Sequence, residues 1–229
     1  MKRYLSESYL KSNPDWHASD SAWKASQIAA LLERNRISPL TICEIGCGAG
    51  EILTNLCARL PDTVTFVGYD VSPTAYAIAR EKANERIKFY CGDPFDGFFD
   101  VLMLIDVVEH VEDYFQFLRG LRNRSVFKVF HVPLELTWHR VLRGKPLMVT
   151  RERFGHLHYF NKDVFLAVLN ETGYSVEDTL YTPLSASQVI RKGAVGTHLA
   201  NVLRKVLFNR VPDLTARALG GYSLLVLAK

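Results

Sequence analysis

Residues 40–51, Leu40-Thr41-Ile42-Cys43-Glu44-Ile45-Gly46-Cys47-Gly48-Ala49-Gly50-Glu51, decide the fold of this chain. A short apolar run ends in a turn with glycine at every second position. Ile52, Leu53, Leu56, Cys57 and Leu60 then share one helical face. The stretch reads as strand, tight turn and helix. Glycine lets the backbone turn sharply and approach a ligand without a Cβ in the way. The helix that follows offers free N–H groups and a positive dipole end.

The same alternation continues outward. Val64 to Tyr69, Ile87 to Cys91, Val101 to Ile105 and Val126 to Val132 read as strands, the last ended by Pro133. Ser72-Pro73 opens a helix carrying Ala75, Ile78 and Ala79. Tyr114, Phe117, Leu118 and Leu121 have the spacing of an amphipathic helix. A later helix (Lys162 to Asn170), a strand near Tyr174 to Leu180 and a terminal strand (Tyr222 to Leu227) complete the series. Strands buried on both faces, each followed by a helix, predict an α/β fold with an open, doubly wound, mostly parallel sheet. Right-handed crossovers then put ligands at the carboxyl ends of the strands.

The 229 residues are expected to form one domain, with 48% hydrophobic and 23% charged residues excluding a disordered chain. Residues 39–182 are the expected cofactor-binding core and 221–229 the terminal strand. Residues 1–38, with Trp16, His17, Trp23 and Lys24, are expected as an N-terminal helical lid. Residues 133–160 and 183–220 are long inserts of the kind that line an acceptor site. A net charge of +4 is too mild to predict a nucleic-acid partner. Cys43, Cys47, Cys57 and Cys91 form no metal-type motif and read as small buried hydrophobes in a reducing compartment. With no membrane-length apolar run and no signal-peptide core, the expected location is cytoplasmic. Val195, Leu199, Val202, Leu203 and Val206 would line one face of a helix with Arg204 and Lys205 opposite. Such a helix can rest on an anionic membrane, but capping the domain is the favoured role. The sequence carries no signal for the oligomeric state.

The glycine loop departs from a dinucleotide fingerprint, because Glu51 stands where that motif needs its third glycine. An acid at a helix start would repel a pyrophosphate and disfavours a nicotinamide-dependent oxidoreductase. It suits a ligand carrying a cationic amine and a sulfonium. Asp70, followed by Val71, ends the second predicted strand and can accept from both hydroxyls of a ribose. Asp93, in Cys91-Gly92-Asp93-Pro94-Phe95, is placed to accept from an adenine amino group.

With these segments and F-D-V-L-M-L-I-D-V-V-E-H at 99–110, the chain resembles the class I S-adenosylmethionine-dependent methyltransferases, in particular the ubiquinone-pathway O-methyltransferase-like group. The resemblance implies a seven-stranded Rossmann-like sheet whose last strand is antiparallel and inserted beside the sixth. It implies S-adenosyl-L-methionine as cofactor. Glu44, Gly46, Cys47, Gly48 and Gly50 would shape the methionine pocket, Asp70 and Val71 the ribose site, and Asp93 and Pro94 the adenine site. Asp106 would close the cofactor site at the end of the fourth strand.

The expected activity is methyl transfer to a small molecule, at an oxygen of a sugar, a quinone-like ring or a natural-product intermediate. Glu109, His110 and His156 are the candidate catalytic residues. Three readings stay open for them: a histidine base, a metal site that includes Asp106, or helix capping and packing. No residue is assigned as a metal ligand. The D-x-x-E-H at 106–110 resembles the E-x-x-E-H of two methyltransferase groups that use a divalent ion, with aspartate in place of the first glutamate. Arg140 and Arg143 in the 133–160 insert suggest an acidic or phosphorylated acceptor. RNA 2′-O-methylation and a silent cofactor-binding partner subunit are the alternatives.

Overall fold

Alternate residues of each strand part company across the sheet. Cys43, Leu102, Leu104, Phe130, Val132, Leu224 and Val226 enter one apolar cluster, while Ile42, Val101, Met103, Ile105, Val129, Leu225 and Leu227 enter the other. A computed structural model describes residues 18–92, 97–183 and 206–229. Its strands are β1 (Thr41–Ile45), β2 (Thr65–Asp70), β3 (Ile87–Cys91), β4 (Phe99–Ile105), β5 (Ser125–Pro133), β6 (Val176–Pro183) and β7 (Tyr222–Ala228). They form a seven-stranded sheet in the order β3-β2-β1-β4-β5-β7-β6. The five strands from β3 to β5 run parallel, and β7 is antiparallel to both β5 and β6. The expected α/β sheet and its inserted last strand are both present.

The described helices are α1 (Ala18–Arg34), α2 (Glu51–Cys57), α3 (Pro73–Ala79), α4 (Tyr114–Leu121), α5 (Trp138–Arg143), α6 (Lys145–Phe154), α7 (Lys162–Glu171) and α8 (Pro212–Leu219). One face of the sheet is covered from α1, α2 and α3, through Ile28, Leu31, Leu32, Leu53, Leu56 and Ala79. The other face is covered from α4, α7 and α8, through Leu118, Leu121, Phe165, Leu169 and Ala216. Each fully buried leucine or phenylalanine here contributes about 1.5–3 kcal/mol of burial free energy. Local signals start the helices: Ser72, Asp113 and Asn161 each accept a backbone N–H of the first turn.

Tertiary context gives these segments their setting and corrects the reading of Cys91 as buried. The described part of the 1–38 segment is a core helix along one face, with Ala25, Ile28, Leu31 and Leu32 almost fully enclosed. Its carboxyl end is pinned by Arg34 and Asn35 to Asp178 on β6. The 133–160 insert is mostly the helical pair α5 and α6. Cys91 is exposed, because it ends an edge strand; Cys43 and Cys47 are buried and Cys57 half-buried. Trp16, His17 and residues 195–205 of the basic amphipathic stretch lie outside the described residues.

Candidate active site

The glycine loop turns back against β2, whose Tyr69 carbonyl accepts from the Gly46 and Cys47 amides at 2.8 and 3.0 Å. Asp70 then clamps the loop: one oxygen accepts from the Gly48 amide and the other from the Ser72 amide, each at 2.8 Å. Burial raises the Asp70 pKa, and the two backbone hydrogen bonds offset only part of that rise. A carboxylate has about four lone-pair sites, so Asp70 keeps capacity for a ligand's hydroxyls.

Two glycines show why the loop needs them. Gly50, at φ 79°, opens α2, and a Cβ there would lie 2.6 Å from the Phe89 ring. Gly48, at φ 53°, would carry its Cβ into open space, with no atom of the described residues within 4 Å. That open space leaves room for a ligand beside the loop.

Beneath the loop lies Glu44, 1% exposed, whose Oε2 has no hydrogen-bond partner among the described residues. Burial pushes its pKa up to about 8; Lys24 pulls it down, and Asp70 and Asp106 push it up. A buried carboxyl with one oxygen unpartnered has the capacity to accept from a cationic ligand. Glu51 has no such freedom, since Lys82 Nζ sits 3.1 Å from its Oε1 and also donates to the Ala49 carbonyl.

At the end of β4 the backbone of Asp106 is left-handed, φ 55°. Lys24 Nζ donates to its Oδ2 and His131 Nδ1 meets its Oδ1, both at 2.6 Å. His131 Nε2 continues to Thr182 Oγ1 at 2.9 Å. Burial would raise Asp106, but Lys24 and His131 outweigh it and hold the carboxyl well below the usual range.

One turn on, Glu109, His110 and His156 converge, with a ligand atom from each within 4.8 Å of the others. The backbone brings them together: the Glu109 carbonyl accepts from the Leu157 and His158 amides at 2.8 and 3.1 Å. Glu109 is 1% exposed, and neither side-chain oxygen has a hydrogen-bond partner among the described residues. Burial, then Asp106 and Glu135, raise its pKa well above the normal value. The rings of His110 and His156 meet edge-on with centroids 4.9 Å apart. His110 Nδ1 faces the Gly155 carbonyl at 3.2 Å, and His156 Nδ1 faces Glu135 Oε2 at 2.6 Å.

Residues 16–179 match the family model described as a methyltransferase domain. The chain belongs to the methyltransferase domain family. Its fold is that of the class I enzymes. The ubiquinone biosynthesis O-methyltransferase of Schizosaccharomyces pombe is 37% identical over 102 residues, 40% of this chain and 36% of that enzyme. The enzyme of that name from Methylobacterium nodulans is 37% identical over 91 residues, 36% of this chain and 35% of its own length. The matched stretch thus spans about a third of each curated relative. The magnesium protoporphyrin IX methyltransferase of Synechocystis, solved with S-adenosylhomocysteine bound, shares the fold at a TM-score of 0.60. It is 17% identical, with coverage of 90% of this chain and 82% of that one.

Within this methyltransferase the structure sorts the expected site residues. Glu44, Gly46, Cys47, Gly48, Gly50, Asp70 and Val71 form the loop and its adjoining strand ends. Asp93 and Pro94 lie outside the described residues. Asp106 lies between the two clusters with both oxygens engaged by protein groups. Arg140 engages the protein itself through one nitrogen: its Nη1 donates to Glu135 Oε1 at 2.6 Å. Phe160 is 1% exposed and packs edge-on against Tyr114 and Phe165. Glu135, His131 and Thr182 belong to the same region, yet each lies within or beside an apolar run that hides it in the sequence. Their only sequence signal is position, at or just beyond a strand's carboxyl end. Among the described residues no helix is long and apolar enough to cross a membrane.

Proposed function

We propose that this methyltransferase moves the methyl group of S-adenosyl-L-methionine to a hydroxyl of a small molecule, with a phenol or quinone-like ring first among candidates. Sugar hydroxyls and natural-product intermediates come next. The observation that carries this is the cluster of Glu109, His110 and His156, one turn beyond the strand end that borders the glycine cradle. On this reading, acceptor-activating groups and the donor site both lie at the carboxyl end of the central strands. The names of the curated relatives, both O-methyltransferases, support oxygen as the acceptor atom.

Methyl transfer from a sulfonium is an in-line displacement, so the protein's main work is alignment and exclusion of water. Glu44 would face the donor's cationic end, Asp70 and Val71 its ribose, and the loop from Gly46 to Gly50 its methionine chain. An alcohol or phenol must lose its proton to react well. The chemistry of the cluster fits a divalent cation: a buried carboxyl with two unpartnered oxygens and two imidazoles within reach of one point. Glu109, His110 and His156 would hold that ion, whose charge would make an acceptor hydroxyl easier to deprotonate. Asp106 is not among the ligands, since Lys24 and His131 engage its oxygens.

The test is calorimetric titration with S-adenosylhomocysteine, followed by assay of catechols, phenols and sugars with the methyl donor and mass-spectrometric detection. Micromolar binding, lost in Asp70→Ala, with a methylated oxygen in the product supports the proposal. Binding with no transfer to any acceptor would point instead to a silent partner subunit. Product methylated at nitrogen or carbon would overturn the choice of atom.

A further inference from the structure

We propose that Glu135 is a positioning residue that, held by Arg140, sets the tautomer of His156 and aims its Nε2 at the Glu109–His110 cluster. The inference rests on the cation reading of that cluster and extends it to a residue that never touches the reacting atoms.

Glu135 lies two residues beyond the end of β5 and is 6% exposed. Its two oxygens are divided between two partners: Oε1 takes Arg140 Nη1 and Oε2 takes His156 Nδ1, each at 2.6 Å. The guanidinium on Oε1 favours the charged form of the carboxylate. An ionised carboxylate only accepts, so the proton between Glu135 and His156 is on Nδ1. Nε2 then carries the lone pair, and it is the atom left to bind an electrophile. A buried imidazole without such a partner would be at liberty to protonate either nitrogen.

Arg140 gives the arrangement a second function. It comes from α5, in the insert whose length and charge suggest the acceptor side, and occupies the oxygen His156 does not use. A guanidinium needs an acceptor wherever it is half-buried. In Glu135→Gln it would claim the amide oxygen and leave the NH2 group facing His156 Nδ1. The amide donates to that nitrogen, so the imidazole proton moves to Nε2 and the lone pair aimed at the cluster is lost.

The experiment uses the full chain, free of metal, labelled with 15N-histidine, and reads the His156 tautomer by long-range 15N–1H spectra. Manganese(II) affinity is measured separately by calorimetry on wild type, Glu135→Gln, Glu135→Asp and His156→Ala. The expected result is an Nδ1–H tautomer in wild type, kept in Glu135→Asp and switched to Nε2–H in Glu135→Gln. The switch is accompanied by roughly 10- to 100-fold weaker manganese(II) binding, the usual effect of losing an outer partner of a ligand histidine. An Nε2–H tautomer in the wild type overturns the proposal, with no need for any variant to fold. So does a Glu135→Gln protein with unchanged tautomer and affinity. If His156→Ala binds manganese(II) as well as wild type, the cation reading fails, while the tautomer spectra still decide what Glu135 does.

Discussion

Lys24, on α1, and Asp106, at the end of β4, are 82 positions apart in sequence and joined by a 2.6 Å ion pair. The pair fastens α1 to the strand end that separates the donor cradle from the Glu109 cluster. His131 secures the other Asp106 oxygen, so a left-handed aspartate, which costs roughly 1–3 kcal/mol of backbone strain, is held from two sides.

Replacing Lys24 by methionine should therefore leave a half-buried carboxylate beside Glu44 and Glu109 with one partner gone. The expected loss is about 2–3 kcal/mol, below the ~3–5 kcal/mol of a fully buried pair because Asp106 keeps some solvent contact. Chemical denaturation at neutral pH measures it. Because the Asp106 pKa is lowered by folding, its contribution is present above the ordinary carboxylate range and disappears as pH falls through the lowered value. The difference between wild type and variant should narrow in acid.

Glu44 has the opposite sign. Its pKa rises from 4.5 to about 8 on folding, so between these values the folded state holds more protons than the unfolded. Stability associated with this group is fully present below pH 4.5 and is lost as pH rises toward 8. Glu44→Gln should flatten that part of the profile. Binding of the cationic donor near neutral pH should release up to about one proton in wild type and none in Glu44→Gln. Calorimetry in buffers of different ionisation enthalpy reads this directly, and equal release in both proteins would contradict it.

The two loop glycines should fail differently. Gly50→Ala places a Cβ 2.6 Å from Phe89 at a positive φ, and should cost about 3 kcal/mol of stability. Gly48→Ala meets no atom of the described residues within 4 Å, so only the left-handed backbone cost of about 1–2 kcal/mol applies. Its added methyl projects into the cradle. That variant should stay folded in thermal melts and lose S-adenosylhomocysteine binding.

Chelation separates the two halves of the site. EDTA should leave S-adenosylhomocysteine affinity unchanged, since no donor-side residue belongs to the Glu109 cluster. It should slow transfer to a phenol on the order of 100-fold or more, equivalent to a few kcal/mol of lost charge stabilisation. Added manganese(II) should restore the rate. Undiminished transfer in EDTA would leave Glu109, His110 and His156 to act without an ion.

The mostly parallel sheet and the glycine loop are legible in the residues alone because the signals are local, whereas the inserted last strand followed only from the family resemblance. Short apolar runs, glycines followed by a helix, and acids at strand ends lie within a few positions of one another. Glu109 and His110 are legible for the same reason. What the tertiary structure decided is partnership over long range. Asp106 looks like a ligand beside Glu109 and His110 in sequence, yet Lys24 and His131, 82 and 25 residues away, engage its oxygens. Arg140 looks like an acceptor's counter-ion, yet it turns inward to Glu135. A carboxylate or guanidinium pairs with whatever charge the fold brings within about 3 Å, and chain order holds no record of that distance.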